Sequence, residues 1–337
     1  MTAALRLLAC ACLFVFCLTV SFPAAAEPVS TTETTRATIT KSLPYLESAG
    51  QEWIDKRKCI SCHRITFTTW GYREAIRRGF PLDAEKLQER LDWSFDTTVK
   101  PDPNLPPECV KNADGIGQLL LGHSSAGVAT LSAEQSSRLV GSLLKVQKAD
   151  GSWKPEGQLP GQKRPIEETT QVSTTWNIIG LAQAPPTDEI KAARTKALAW
   201  LASAKPGKST EWYASQLALH VQEKNADKAA ELVAELKKLQ QADGGWGWLT
   251  ADPSDALATG QAVYALSIAD VKPDDDSITK AVQFLSSTQQ ENGSWQVKGT
   301  KQNKKDKVEE TATYWGSAWA TLALLKTLPE PAVQAAK

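Results

Sequence analysis

The residues in this sequence best suited to do chemistry are Cys59, Cys62 and His63, in the stretch KCISCHR. Two cysteines separated by two residues, with a histidine directly after them, form the attachment signature of c-type haem. The two thiols add to the haem vinyl groups, and the histidine is the proximal ligand of the iron. The spacing therefore predicts covalently bound haem c, held by Cys59, Cys62 and His63.

The same residues allow two other arrangements. Together with Cys109, in the later stretch PDPNLPPECVKN, they supply a Cys3His set for zinc. Alternatively, Cys59 and Cys62 close a small disulfide loop, which favours a redox-labile bond over a structural one. Cys109 is also a candidate iron ligand, because its loop is expected on the same rim of the protein as Cys59.

The second axial ligand of such a haem is harder to find. Met1 is the only methionine in the sequence. His123 and His220 each lie about ten residues into a predicted helix, roughly 15 Å along its axis from the rim that holds Cys59. Both are expected to be ordinary core or surface histidines. A haem without a strong sixth ligand favours binding or reacting with a small molecule over electron transfer alone.

The N-terminus indicates export. Arg6, an apolar run and small residues ending at Ala26 are typical of a secretory signal peptide spanning residues 1–26. Its removal takes away Cys10, Cys12 and Cys17 and leaves three cysteines. An odd number does not fit a simple disulfide framework. We therefore expect a periplasmic or extracellular protein.

The remaining composition excludes some partners. Without Arg6 the chain has 37 basic and 38 acidic residues, so nothing indicates nucleic acid as a partner. No later segment has the apolar length that a membrane span needs. Residues 27–36 are polar and are expected to form a flexible tether.

Three copies of one loop pattern occur in the rest of the chain. Gln147, Gln240 and Gln289 each precede a glycine by four residues and a tryptophan by six. An amphipathic helical pattern precedes each loop, and a helix rich in small and aromatic residues follows it. With three weaker copies, the pattern predicts six helical hairpins. Their first helices are expected near 37–48, 83–96, 132–147, 188–203, 226–239 and 275–288.

The Gln-x3-Gly-x-Trp loops resemble the QW motif of the squalene-hopene cyclase and prenyltransferase superfamily, over most of residues 35–328. The resemblance implies an all-α fold, with residues 37–330 forming a single α/α toroid of six hairpins in two concentric rings. Residues 59–63 then lie in the first loop. The motif tryptophans Trp153, Trp246 and Trp295 are expected to brace the scaffold rather than to bind a ligand.

The chemistry of that superfamily does not carry over with the motif. Squalene-hopene cyclases protonate their substrate with an Asp-x-Asp-Asp motif, which neither Asp274–Asp276 nor the pair Asp252 and Asp255 reproduces. These aspartates are expected to cap helices. No cysteine follows Cys109, so the zinc site of protein prenyltransferases cannot be rebuilt in the repeats.

Three functions follow from these patterns. The first is an exported haem c protein in redox, electron-transfer or small-molecule sensing chemistry, served by a redox partner protein. The second is a cyclase-like toroid that binds or converts an apolar or glycan ligand in a central cavity. The third is a scaffold with structural zinc. The residues expected to face the cavity are Trp70, Trp176, Tyr264, Trp315 and Trp319.

Overall fold

The computed structural model describes residues 31–57, 64–99, 103, 112–156 and 160–330. These residues contain twelve α-helices and one short antiparallel ribbon, formed by β1 (Trp246–Gly247) and β2 (Ser254–Asp255). The helices are α1 (Thr31–Arg57), α2 (Ile65–Arg77), α3 (Ala84–Val99), α4 (Ala113–His123), α5 (Ala133–Lys145), α6 (Ile166–Leu181), α7 (Asp188–Ala202), α8 (Thr210–Gln222), α9 (Ala226–Lys238), α10 (Ala256–Ile268), α11 (Asp276–Thr288) and α12 (Glu310–Thr327).

The helices form two concentric rings. Each even-numbered helix packs against the next even-numbered one, and α12 packs against α2, so the inner ring is closed. The odd-numbered helices lie outside and pack against their inner neighbours. The predicted all-α toroid of six hairpins is therefore confirmed.

Residue type explains which helices lie inside. Every residue from Ala256 to Leu266 of α10 is buried, as is nearly all of α12. A helix that is apolar or small on all sides must be surrounded by protein. Outer helices carry one apolar stripe instead, as in α5, where Leu139, Val140 and Leu143 are buried.

The glutamine of each repeat loop ties neighbouring hairpins together. Gln289 Nε2 donates hydrogen bonds to the carbonyl oxygens of Gly293, in its own loop, at 3.1 Å and of Thr38, in α1, at 2.9 Å. Gln147 and Gln240 make the equivalent pair of bonds, each to its own loop and to the next outer helix. Because Gln289 joins α11 to α1, it fastens the last hairpin to the first.

The repeat tryptophans brace the same loops. The side chains of Trp153, Trp246 and Trp295 are fully buried. Each indole N–H donates to the carbonyl ten residues earlier, at the end of the preceding outer helix, at 2.7–2.9 Å. Each tryptophan backbone N–H donates to a threonine or serine hydroxyl of the following inner helix. The predicted scaffold role of these tryptophans is confirmed.

Glycine is required in these loops for two reasons. Gly293 has φ of +87°, a left-handed conformation that favours glycine. A Cβ atom at Gly293 would lie 2.0 Å from the carbonyl oxygen of Lys41. The loop therefore packs its backbone directly against α1.

Two details differ from the sequence-based expectation. Residues 31–36, expected in the tether, form the first turns of α1, because Thr35 is buried there and the Arg36 guanidinium lies over the Phe80 ring. Asp255 and Asp275 cap α10 and α11 as predicted, whereas Asp252 pairs with a lysine instead of capping a helix.

The described helices have no membrane-spanning candidate, since none combines sufficient length with sufficient apolar character.

Replacing Gln289 by alanine tests the closure of the ring. Gln289→Ala leaves two buried carbonyl oxygens without their donor, which costs about 1–3 kcal/mol in the free energy of unfolding. Urea denaturation followed by circular dichroism measures this loss. The matched control is Gln88→Ala, which removes one exposed bond to Asp92 within α3 and should change stability by less than about 0.5 kcal/mol. Equal stability of the two variants would contradict the closing role of Gln289.

Candidate functional site

One end of the inner ring collects acidic side chains. We call this end the mouth; it is where the inner helices begin. Acidic residues occupy the first turn or the N-cap of five of these helices: Asp114, Glu168, Glu211, Asp255 and Glu310. The partial positive charge of a helix N-terminus stabilises a carboxylate, which explains the pattern.

Arg164 neutralises part of this acidic end. Its side chain is fully buried, and its Nη2 lies 2.8 Å from Glu211 Oε2, although the alignment is too poor for a hydrogen bond. Arg164 Nη1 donates to the Ser209 hydroxyl at 3.0 Å, and that hydroxyl donates to Glu168 at 2.5 Å. The guanidinium also lies 5.0 Å from the centre of the Trp248 ring. Glu168 and Glu211 are thus both held by partners.

Two further acids at the mouth have partners as well. Glu310 forms an ion pair of 2.7 Å with Arg64, which caps α2. Asp255 accepts hydrogen bonds from the backbone N–H groups of Ala258 and Trp248. Burial nevertheless raises the pKa of the Asp255 carboxyl to about 6.

Asp114, in the first turn of α4, differs from these acids. It is 4% exposed and makes no ion pair with a described residue. Burial raises the pKa of its carboxyl to about 7, and the neighbouring charge of Glu211 acts in the same direction. The Ser173 hydroxyl and the Glu156 backbone N–H lower the pKa by less. Asp114 is therefore expected to carry a proton in about half of the molecules at neutral pH.

A pocket lies between Asp114 and the axis of the ring. Its empty volume is about 410 Å³. Much of this space is too narrow for water, and the rest has room for about one water molecule. Five of the six inner helices supply its wall. The lining residues are Phe67, Trp70, Asp114, Gln118, Leu121, Val172, Ser173, Trp176, Glu211, Trp315 and Trp319.

An aromatic cluster fills the axis below the pocket. We call it the aromatic plug; it consists of Phe67, Trp70, Trp176, Tyr264 and Trp319. Trp319 is its centre, with ring centroids 5.0–5.9 Å from the other four. Edge-to-face and tilted packing of this kind stabilises aromatic clusters. Aromatic side chains from four inner helices therefore meet at this level of the ring.

The structure brings together most of the residues expected in the cavity. Trp70, Trp176, Trp315 and Trp319 line the pocket, whereas Tyr264 lies in the aromatic plug and does not line it. Of these side chains Trp176 is the most exposed, being half-buried.

The predicted haem and zinc residues Cys59, Cys62, His63 and Cys109 lie outside the described residues. The helices that flank them are described. The chain leaves α1 at Arg57 and re-enters at Arg64, beside the first turn of α2. The chain likewise leaves α3 at Val99 and enters α4 at Ala113. In each case an outer helix is followed in the chain by the mouth end of an inner helix.

The other two histidines lie away from the mouth. His123, at the end of α4, is fully buried; its Nδ1 lies 2.8 Å from Ala129 O and its Nε2 lies 3.1 Å from Thr69 Oγ1. His220 lies near the end of α8. Both lie at the opposite ends of their inner helices from the mouth. Among the described residues no cluster of three metal-binding side chains occurs.

The carboxyl pair in the pocket was not expected from the sequence. Asp114 and Glu211 are single acids at the starts of helices otherwise made of small and apolar residues. Both therefore resemble ordinary helix-start acids. The sequence did offer one indication of these acids. A helix made mainly of small and apolar residues is buried on all sides, so an acid in its first turn is expected to be buried too.

Comparison with known proteins identifies the fold and no family. No family model and no curated protein matches this sequence. Among solved structures, a polysaccharide lyase aligns with a TM-score of 0.61 and 11% identity, covering 88% of this chain and 97% of the lyase. The type II terpene cyclase MstE from Scytonema, in complex with geranylgeranyl dihydroxybenzoate, aligns with a TM-score of 0.56 and 14% identity, covering 88% and 98%. This chain shares the toroid architecture of both.

The raised pKa of Asp114 makes stability depend on pH. Between about pH 4 and pH 7 the folded protein keeps a proton that the unfolded chain releases, so stability falls as the pH rises through this window. Asparagine is uncharged throughout. We expect Asp114→Asn to gain up to about 4 kcal/mol over the native protein near pH 8 and nothing near pH 4.

Urea denaturation at both pH values measures this difference. Asp188→Asn is the control, because Asp188 is 97% exposed and its replacement should leave the pH profile unchanged. Parallel profiles of Asp114→Asn and the native protein would show that Asp114 is ionised in the folded state.

Proposed function

We propose that this protein binds an organic ligand in the pocket at the mouth of the ring and donates a proton to it from Asp114. The observation that carries this proposal is a buried carboxyl group on the wall of an aromatic pocket, with no cationic partner among the described residues and with a pKa that burial raises to about 7. An acid with a pKa near the working pH is best suited to general acid catalysis. Perturbed carboxyl groups in clefts are characteristic of functional sites.

The second carboxylate complements this role. Burial raises the pKa of Glu211 as well, and the ion pair with Arg164 opposes that rise. Asp114 has no such cation among the described residues, and two carboxyl groups in different environments can take different roles. Asp114 gives up the proton, and the negative charge of Glu211 stabilises positive charge that develops on the ligand.

The aromatic plug supports the same function. It forms a dry floor that keeps bulk water from reaching the pocket through the other end of the ring. Low polarity around an acid and its ligand strengthens the electrostatic interactions between them. The half-buried side chains of Gln118, Leu121 and Trp176 are the parts of the wall that turn aside to admit a ligand.

The two aligned toroid enzymes, a polysaccharide lyase and a terpene cyclase, support a ligand that is either a glycan or a polyprenyl compound. Replacing the proposed acid tests the function. With a panel of neutral aryl glycosides and geranylgeraniol, we expect turnover that Asp114→Asn lowers by about 10²–10⁴-fold, the contribution of a general acid. Product formation is followed by chromatography coupled to mass spectrometry.

The matched control for this experiment is Asp255→Asn. Asp255 is also buried with a raised pKa, but it does not line the pocket, and asparagine is an equally good N-cap. This variant should retain turnover. If Asp114→Asn turned over substrate as fast as the native protein, Asp114 would not be the acid.

We propose haem c attachment as a second function, through Cys59 and Cys62 with His63 as the proximal ligand. Its support is the Cys-x-x-Cys-His spacing, together with the position of the flanking residue Arg64 at the mouth. Arg64 is 2% exposed, with Trp53 and Tyr314 rings 4.5 and 4.8 Å from its guanidinium carbon. Export of the protein, through removal of residues 1–26, belongs to the same proposal.

A pyridine haemochrome assay tests this second function. The protein is produced in an exporting host with haem-maturation machinery. We expect an absorption band that survives acid-acetone extraction and is lost in the double variant Cys59→Ser/Cys62→Ser, because the thioethers hold the haem. A colourless protein that contains zinc would instead favour the Cys3His site with Cys109.

A further inference from the structure

The walls of the pocket carry polar atoms that have no hydrogen-bond partner among the described residues. The lining atoms without a hydrogen bond to a described residue include Asp114 Oδ2, Ser173 Oγ, Glu211 Oε2, Trp176 Nε1 and Trp319 Nε1. Ser173 nevertheless lies close enough to Asp114 to lower the pKa of its carboxyl. Buried polar atoms are almost always hydrogen-bonded to protein or to water, so a bound ligand can supply the partners that the described residues do not.

A hydrocarbon ligand would leave these atoms unsatisfied. The pocket has room for about one water molecule, and a ligand that takes its place must hydrogen-bond to these atoms or lose affinity. Each unsatisfied buried donor or acceptor costs about 1–3 kcal/mol. Two indole N–H groups need oxygen acceptors, and the Ser173 hydroxyl can serve as donor or acceptor. A ligand with several hydroxyl groups meets both demands.

The charges of the wall indicate that the ligand is neutral. The charged side chains among the described lining residues are Asp114 and Glu211, and neither lysine, arginine nor histidine lines the pocket. Arg164 is fully buried and paired with Glu211 and Ser209. In the part of the wall that the structure describes, a carboxylate ligand would face two acids and no free cation, which electrostatics disfavours.

From these observations we infer that the ligand is a neutral sugar, whose C–H face stacks on the half-buried Trp176 once the half-buried side chains of the wall turn aside, and whose hydroxyl groups satisfy the unpartnered indole, serine and carboxyl atoms. This inference rests on the proposed function, because it names the ligand class of the same pocket. It separates this protein from a polyprenyl binder, whose ligand offers mostly apolar surface. It also excludes uronic acid chains, because these carry a carboxylate on each sugar.

Titration calorimetry and nitrogen-15 indole spectra of the full-length protein test the inference. The probes are four neutral disaccharides (cellobiose, maltose, xylobiose and mannobiose), digalacturonate, and geranylgeraniol in detergent. We expect at least one neutral disaccharide to bind and to shift the Trp176 indole resonance, identified by its loss in Trp176→Phe. That variant keeps an aromatic face but lacks the N–H group, so affinity should fall about three- to tenfold, the value of one hydrogen bond.

Trp200→Phe is the matched control, because Trp200 lies half-buried on the outer helix α7 and its replacement should leave sugar affinity unchanged. Binding of geranylgeraniol or digalacturonate without any neutral disaccharide would overturn the inference. The proposed acid function would then still stand if Asp114→Asn blocked conversion of that ligand. The absence of binding by every probe would also overturn the inference, whereas full turnover by Asp114→Asn would overturn the proposed function.

Discussion

The structure depends on the closure of a ring by short side-chain-to-backbone hydrogen bonds. A toroid built from hairpins has no single core element, so each hairpin must be fixed to the next and the last to the first. Gln289 makes the final connection, from α11 to the carbonyl oxygen of Thr38 in α1. The repeat glycines let backbones approach closely enough for these bonds, and the repeat tryptophans fill the remaining space.

Closure of the ring creates the chemistry of its mouth. Because every hairpin runs outer helix to inner helix, the N-termini of the inner helices gather at one end, and their partial positive charges attract acids. These acids differ in their partners. Glu211 pairs with Arg164 and Glu310 with Arg64, whereas Asp114 has no cationic partner among the described residues, and burial raises the pKa of its carboxyl. Asp114 lies on the wall of the pocket beside the aromatic plug, which is centred on Trp319.

The sequence predicted the scaffold better than the site, for a physical reason. Scaffold positions repeat, so the Gln-x3-Gly-x-Trp spacing and the helical periodicity indicated the hairpins, the loops and four of the pocket tryptophans, including Trp176 and Trp315. Asp114 occurs once, and its role comes from burial between helices distant in sequence. The haem motif is the opposite case. Its residues are contiguous, so the sequence alone is enough to recognise it, but residues 59–63 lie outside the described residues.

The central claim is that Asp114 titrates near neutral pH in the folded protein. Isotope-edited infrared spectroscopy of the protein labelled with carbon-13 aspartate, compared with Asp114→Asn, measures this directly between about pH 4 and pH 9. The account predicts a protonated carboxyl band that titrates near pH 7 and is missing from the variant. Identical protonated aspartate signals in the native protein and the variant at every pH would contradict it.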